Sequence, residues 1–295
     1  YSTTQGTNAL VERKGPSLGL LLNTSDNDWC REDDHQASLY ADLLGARVVV
    51  LDTTLAPEDY HTALTEAVGQ LAAAGASRIV VAYTGDAYVE QERALHRMML
   101  RSFPRHLLGS VPVLYSNALC RNANPNVRLW TALFNAFLHP AMERFLYNTE
   151  SELSHFRTRN PLLVYRNDGY SGRVAKTIAL KTYSSGPRGG AEGALAYSNY
   201  YDYLRVITVD VGGTTTDIGL IEDGKIVDSR LGLIEGVRCS DPLAEIVSVG
   251  VGGGSIIRAE GGEIRVGPES VGGAPGPACF GMGGDKATIT DALLV

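Results

Sequence analysis

Residues 205–222 read Arg205-Val-Ile-Thr-Val-Asp210-Val-Gly212-Gly213-Thr214-Thr215-Thr216-Asp217-Ile-Gly-Leu-Ile-Glu222. A β-branched apolar run ends at Asp210, the chain turns through two glycines and three threonines, and a second run starts at Asp217. Gly212 and Gly213 remove Cβ atoms, which lets backbone N–H groups point into one anion-sized hollow. Thr214, Thr215 and Thr216 add hydroxyl donors. Asp210 and Asp217 are of the type that holds Mg2+ directly or through water. A phosphate tail with its metal needs such a set: donors for the oxygens and carboxylates for the cation. A tight hairpin whose threonines merely suit strands is the plainer alternative. The coincidence of glycines, hydroxyls and paired carboxylates within eight residues favours phosphate binding.

Outward from this stretch, the second half of the chain reads as hairpins. Asp223-Gly224 lies between alternating runs, a strong two-residue hairpin signal. Residues 255–259 and 263–266 form a second hairpin pattern around Glu260-Gly261-Gly262. Between them, Gly250-Val-Gly252-Gly253-Gly254-Ser255 follows an apolar strand, so bare backbone can lie close to a nucleotide; a flexible connector is the alternative. It is no dinucleotide fingerprint, because its sixth position is Ser255 and a hairpin follows instead of a helix. Upstream, Ser185-Gly186-Pro-Arg188-Gly-Gly190 opens a helical run over 191–200. Unpaired N–H groups at a helix start attract anions, and Arg188 adds a fixed positive charge there. A helix cap with a close-packed turn explains the same residues. Residues 267–284 carry glycines, prolines and Cys279, as a packed thiol or part of an ordered loop. Asp291 reads equally as a helix N-cap.

The first half alternates strand and helix. Apolar runs at 18–23, 46–52, 77–83 and 111–115 predict strands; 57–74 and 88–103 have helical spacing, the former opened by Pro57 and closed by Gly75. That alternation predicts a largely parallel sheet with covering helices. Residues 126–156 have helical spacing, with Pro140 expected to kink or split them. The organisation expected is α/β: a first lobe over 1–117, connecting helices over 118–160 and a glycine-rich nucleotide-binding lobe over 161–295.

Composition removes several classes. The chain has 295 residues, 26 Lys+Arg against 33 Asp+Glu and a net charge of −7, which argues against nucleic acid or an anionic membrane as partner. No run of ~18 apolar residues predicts a membrane span. Four cysteines, none in a CxxC pair, fit a reducing cytoplasm better than a disulfide framework. The acidic stretch at 26–34 reads as a solvated loop, and neither a P-loop nor a GxSxG serine motif is present. Of the 33 glycines, 25 lie beyond residue 160, which points to the second half as the place of a site.

The stretch 210–217 resembles the second phosphate motif of the actin-like ATPase superfamily. More narrowly, the chain is similar to the hydantoinase/5-oxoprolinase family. Residues 2–15 (STTQGTNALVERKG) resemble its STT-x-x-TNALLERKG segment, 135–140 its NAYLRP helix, and 185–190 its SGPAGG turn, with Arg188 in place of Ala. Residues 250–256, 267–281 and 290–292 match its GAGGGSI, GPES…PGPACYG and TDA segments. The likeness implies a two-lobed actin-like (ribonuclease H-like) fold that binds ATP and Mg2+. The family's first DVGGTFTD-type motif is missing, which implies a first lobe truncated at its N-terminus and half of the phosphate clamp. The implied activity is ATP-dependent hydrolysis of cyclic amides of hydantoin or 5-oxoproline type, as an enzyme or its ATP-binding subunit. It also implies a second hydantoinase/oxoprolinase subunit and an oligomer. On this likeness Asp210 and Asp217 serve catalysis and metal binding, and Gly212–Thr216, Gly252–Ser255, Gly186 and Arg188 hold the nucleotide. The alternatives are phosphorylation of a ketone, as in acetone-carboxylase-type relatives, and a non-catalytic nucleotide-binding scaffold.

Overall fold

The computed structural model describes residues 9–10, 13–104 and 110–295. The polar cluster expected at Thr3, Thr4, Thr7 and Asn8 lies outside them. The chain divides into two compact units, one of residues 1–185 with 230–243, the other of residues 186–229 with 244–295.

The first unit holds the alternating pattern. Strands β1 (Leu18–Leu22), β2 (Val48–Val50), β3 (Arg78–Val81) and β4 (Val113–Tyr115) form one parallel sheet in the order β2-β1-β3-β4. Leu20 pairs with Val48 on one side and with Val80 on the other. Every residue of β1 is buried, as expected of a central parallel strand covered on both faces. Helices α1 (Asp34–Leu44), α2 (Pro57–Ala73) and α3 (Tyr88–Ser102) connect the strands. Asp33 caps α1 by accepting the Gln36 amide at 2.7 Å. Pro57 opens α2, followed by acidic residues where the helix dipole favours them.

Helix α4 (Pro125–His155) is one element with Pro140 inside it, so the split expected at that proline is absent. An internal proline costs a helix roughly 3 kcal/mol. Burial outweighs that cost: every residue from Asn126 to Leu138 is buried, as in a helix enclosed on all sides. Trp130 Nε1 donates to the Cys30 carbonyl and to Gln36 Oε1, both at 3.1 Å.

In the second unit, helix α5 (Ser185–Tyr200) covers one face of an antiparallel sheet of β5 (Arg205–Val211), β6 (Thr216–Glu222) and β7 (Ile246–Val249), in the order β7-β6-β5. The expected hairpins are present. Asp223 and Gly224 both adopt positive φ (49° and 68°), as a two-residue turn requires. Gly261 and Gly262 do the same between β8 (Ser255–Glu260) and β9 (Glu263–Ser270). The core here is small: Ala191, Ile221 and Ile226, flanked by Ala194, Leu195, Val206 and Ile246. Helix α6 (Ile289–Ala292) is closed by a capping box in which Thr288 is the N-cap and Asp291 the third residue. The N-cap role expected for Asp291 therefore falls to Thr288.

Candidate functional site

The hairpin β5–β6 sets Asp210 directly across from Asp217, with Val211 opposite Thr216. The loop between them has four residues, closed by the Gly212 amide donating to the Thr215 carbonyl at 2.8 Å. Gly212, Gly213, Thr214 and Thr215 are exposed. Among the described residues, the amides of Gly213, Thr214 and Thr215 and the hydroxyls of Thr214 and Thr215 have no hydrogen-bond partner. Thr216 differs: its hydroxyl donates to the Val251 carbonyl at 2.6 Å, so its proton is committed within the protein.

The glycine segment 250–255 packs against this loop through its backbone. The Gly253 amide donates to the Gly212 carbonyl at 2.9 Å and the Gly254 amide to the Gly213 carbonyl at 2.6 Å. A Cβ at residue 252 would lie 2.7 Å from the Gly212 oxygen, and one at 254 would lie 2.8 Å from Ser270 Oγ. These glycines permit a close approach of backbone to backbone. Ser255 is fully buried and accepts the Gly252 amide on Oγ at 2.9 Å. Thr290 holds the arrangement from the other side, donating from its amide (2.9 Å) and its hydroxyl (2.8 Å) to the Gly253 carbonyl.

Asp210 and Asp217 line a cleft of about 320 Å3 with Pro187, Gly190 and Ala191 from the first turns of α5. A Cβ on Gly190 would stand 3.6 Å from Asp210 Oδ2, so the helix start approaches that carboxylate closely. Ser248 donates its hydroxyl to Asp217 Oδ1. Like charges directly opposite on one sheet face destabilise a strand pair. A cation between them would remove that cost. No group of three or more His, Cys, Asp or Glu that would cage a metal occurs among the described residues. Mg2+ needs no such cage: it keeps most of its waters and takes one or two carboxylates beside substrate phosphates. The pair Asp210 and Asp217 fits that demand.

Arg188 does not line the cleft. Its guanidinium grips Glu192 one turn on, at 2.7 and 3.0 Å, with Asp228 at 4.0 Å. Gly186 is the second residue of α5. Cys279, expected as a packed thiol, is exposed. Its amide donates to Asp291 Oδ1 at 2.7 Å. The hydrogen bond of its thiol to Asp291 raises the thiol pKa, the wrong direction for a nucleophile.

In the first unit two buried clusters went unnoticed in the sequence. Glu92 is fully buried and accepts four hydrogen bonds: the Tyr83 amide (3.0 Å), Ser116 Oγ (2.7 Å), and the Asn117 amide (2.9 Å) and Nδ2 (2.7 Å). Burial raises its pKa, against the pull of these donors and of Arg128. The signal was its place on the buried stripe of α3 with Leu95 and Met99. Asp241 is likewise buried, held by the Lys181 ammonium and by Asn167 Nδ2 at 3.2 Å.

The hydantoinase/oxoprolinase family profile matches residues 128–295, more than half the chain. The chain belongs to the hydantoinase/oxoprolinase family. It is 27% identical over 325 residues to the acetophenone carboxylase gamma subunit of Aromatoleum aromaticum, covering 100% of this chain and 44% of that subunit. It is 26% identical over 313 residues to the caprolactamase subunit alpha of Pseudomonas jessenii, covering 99% of this chain and 44% of that subunit. The crystal structure of ATP-dependent caprolactamase from the same organism superposes with a TM-score of 0.68 at 26% identity, over 99% of this chain and 45% of the other. The nucleotide-free structure of acetone carboxylase gives a TM-score of 0.80 at 24% identity, over 99% and 44%. The α/β actin-like fold expected for this hydantoinase/oxoprolinase chain is the one observed. The chain spans about 44% of the length of these two curated relatives. No helix among its described residues is long and apolar enough to cross a membrane.

Proposed function

We propose that this chain carries an ATP-binding part of an enzyme that opens cyclic amides. The observation that carries the reading is the loop 212–215: free amide and hydroxyl donors face outward between two opposed carboxylates. Donors at Gly213, Thr214 and Thr215 would hold the β- and γ-phosphate oxygens, and Asp210 and Asp217 would hold Mg2+ at the cleft. When bound, the metal supplies charge neutralisation on the phosphates. Gly252–Ser255 serve here as the buttress that fixes the loop, as well as bare backbone beside the nucleotide. Gly186 and the start of α5 add a positive dipole end at the same cleft. Arg188 is held by Glu192 one turn along that helix.

An amide is a poor electrophile. Transfer of the γ-phosphoryl group to the amide oxygen releases ADP and leaves a carbon that water can attack. Addition of one water and collapse of the adduct breaks the C–N bond and leaves an acyl phosphate with a free amine; a second water then releases inorganic phosphate and the carboxylate of the ring-opened product. Preorganised donors around the transferring group supply most of the rate effect. The caprolactamase likeness supports a cyclic amide as the acceptor. A reading in which ATP phosphorylates a ketone before its carboxylation is favoured by a different observation, the full-length match of this chain to an acetophenone carboxylase subunit. A partner subunit is part of either reading, since both relatives are named as subunits. The discriminating experiment is ATP hydrolysis by the full-length gene product, with its co-encoded subunit, against hydantoin, 5-oxoproline, caprolactam and, with bicarbonate, acetone and acetophenone. Stimulation by a cyclic amide alone supports ring opening; stimulation by a ketone with bicarbonate alone overturns it.

A further inference from the structure

The second unit sets three polar side chains in one row. Asp210 on β5 lies opposite Asp217 on β6, and Asp217 lies opposite Ser248 on β7. Directly opposed residues of antiparallel strands project from the same face, so the row reads carboxylate, carboxylate, hydroxyl. It crosses the sheet beside the 212–215 loop, one residue short of the level where Thr216 pairs with Val211 and Val249. Two residues back on β7, Ile246 points to the same face and packs against the small core of this unit. Ser248 is the polar residue of a strand otherwise made of Ile246, Val247 and Val249. Apolar packing does not call for a hydroxyl in such a strand; its neighbour in the row does.

The hydroxyl of Ser248 donates to Asp217 Oδ1, and Oδ2 has no hydrogen-bond partner among the described residues. No donor reaches the Asp210 carboxylate among those residues. β6 is the middle strand, so Ser248 and Asp210 flank Asp217 from opposite sides. The two carboxylates are therefore unequal: Asp217 is half-buried and braced from β7, whereas Asp210 is exposed and unbraced. A carboxylate that takes a cation gains from a partner that fixes its orientation, and losing such a partner typically weakens metal binding by about 10–100-fold. We propose that Ser248 is a positioning residue for the reaction. Its hydroxyl engages Oδ1 and holds the Asp217 carboxylate with Oδ2 available to the Mg2+ that accompanies the nucleotide. Asp210 meets the same cation without a brace. This inference rests on the reading of the β5–β6 hairpin as the phosphate and metal site.

The test measures the Kd of a fluorescent, non-hydrolysable ATP analogue for the full-length gene product, once in Mg2+ and once in EDTA. Ser248→Ala is expected to raise the Kd in Mg2+ by about 10-fold or more and to leave the Kd in EDTA nearly unchanged, because the hydroxyl acts only through the metal. Ser248→Thr, which keeps the hydroxyl, is expected to return the Kd in Mg2+ to within about 3-fold of wild type. A wild-type Kd for Ser248→Ala in Mg2+ overturns the proposal. So does an equal loss in Mg2+ and in EDTA, the mark of a merely structural residue, or a loss in Mg2+ that Ser248→Thr does not restore. Asp217→Asn separates this proposal from the reading beneath it. If Asp217→Asn weakens binding in Mg2+ while Ser248→Ala does not, only the positioning role falls. If neither variant alters binding in Mg2+, the assignment of Asp217 to the metal falls with it.

Discussion

The backbone amide of Gly253 donates to the carbonyl of Gly212 at 2.9 Å, which ties two glycine segments distant in sequence into one loop pair. The approach of the two segments depends on the absence of a side chain at the neighbouring Gly252. At position 252 an added methyl would meet the Gly212 oxygen at 2.7 Å, whereas at position 213 nothing stands within 4 Å. Gly252→Ala is therefore expected to displace the 212–215 loop, costing roughly 1–3 kcal/mol and raising the KM for ATP. Gly213→Ala is expected to leave stability nearly unchanged. Thermal melts of both variants, set beside their ATP kinetics, check this contrast.

Thr290 positions the same loop at one remove. Its hydroxyl and amide both reach the Gly253 carbonyl, and Gly253 in turn holds Gly212. Thr290→Val keeps the shape and removes one hydrogen bond, worth roughly 0.5–1.5 kcal/mol. The expected result is a higher KM for ATP with kcat little altered, restored by Thr290→Ser. A loss of stability with unchanged KM would leave Thr290 a purely structural residue.

Local features were legible in the sequence and non-local ones were not. Asp223-Gly224 and Gly261-Gly262 announced their hairpins because positive φ restricts the residue type at those positions. The runs at β1 to β4 announced a parallel sheet because strands buried on both faces are continuously apolar. Pro140 does not split its helix, since the breaking tendency of a proline is local while the burial that opposes it comes from the rest of the first unit. Arg188 was expected to face an anion, yet Glu192 stood one helical turn on, an i,i+4 partner visible in the sequence itself. Residues 252–254 were read as nucleotide-facing because glycine marks close approach without saying what approaches; much of what approaches is the 212–214 backbone.

Glu92 gives a stability prediction with a pH signature. Gln presents an NH2 group where the carboxylate accepts from Ser116 or Asn117, leaving buried donors opposed. Glu92→Gln is expected to lose roughly 1–3 kcal/mol. Burial raises the folded pKa of Glu92, so its stabilising contribution is full below the ordinary glutamate pKa and falls as pH rises through the folded value. The gap in Tm between wild type and Glu92→Gln should therefore widen as pH is lowered from about 7 toward 5. A gap that narrows over that range would reverse the sign assigned to this carboxyl.

The cysteines divide by environment. Burial pushes the Cys30 thiol up to about 12 and raises Cys239 as well, so neither should alkylate before unfolding. Cys279 is exposed, and its hydrogen bond to Asp291 raises its pKa. Asp291→Asn removes that charge, so the pH profile of Cys279 alkylation by iodoacetamide should shift to lower pH. Site-resolved labelling rates across pH 7 to 10 (roughly the range where thiols titrate) check both statements.

The most direct test of nucleotide handling is substrate-stimulated ATP turnover by the full-length gene product carrying Asp210→Asn. The substitution keeps the size of the side chain and removes one of two carboxylates opposed across β5 and β6. Turnover is expected to fall by roughly 10²–10³-fold, the scale of losing one preorganised electrostatic contact. The apo protein should melt at the same temperature or slightly higher, because a like-charge pair has been relieved. Turnover within about 3-fold of wild type, below 1 kcal/mol of barrier, would contradict the assignment of this hairpin as the phosphate and metal site.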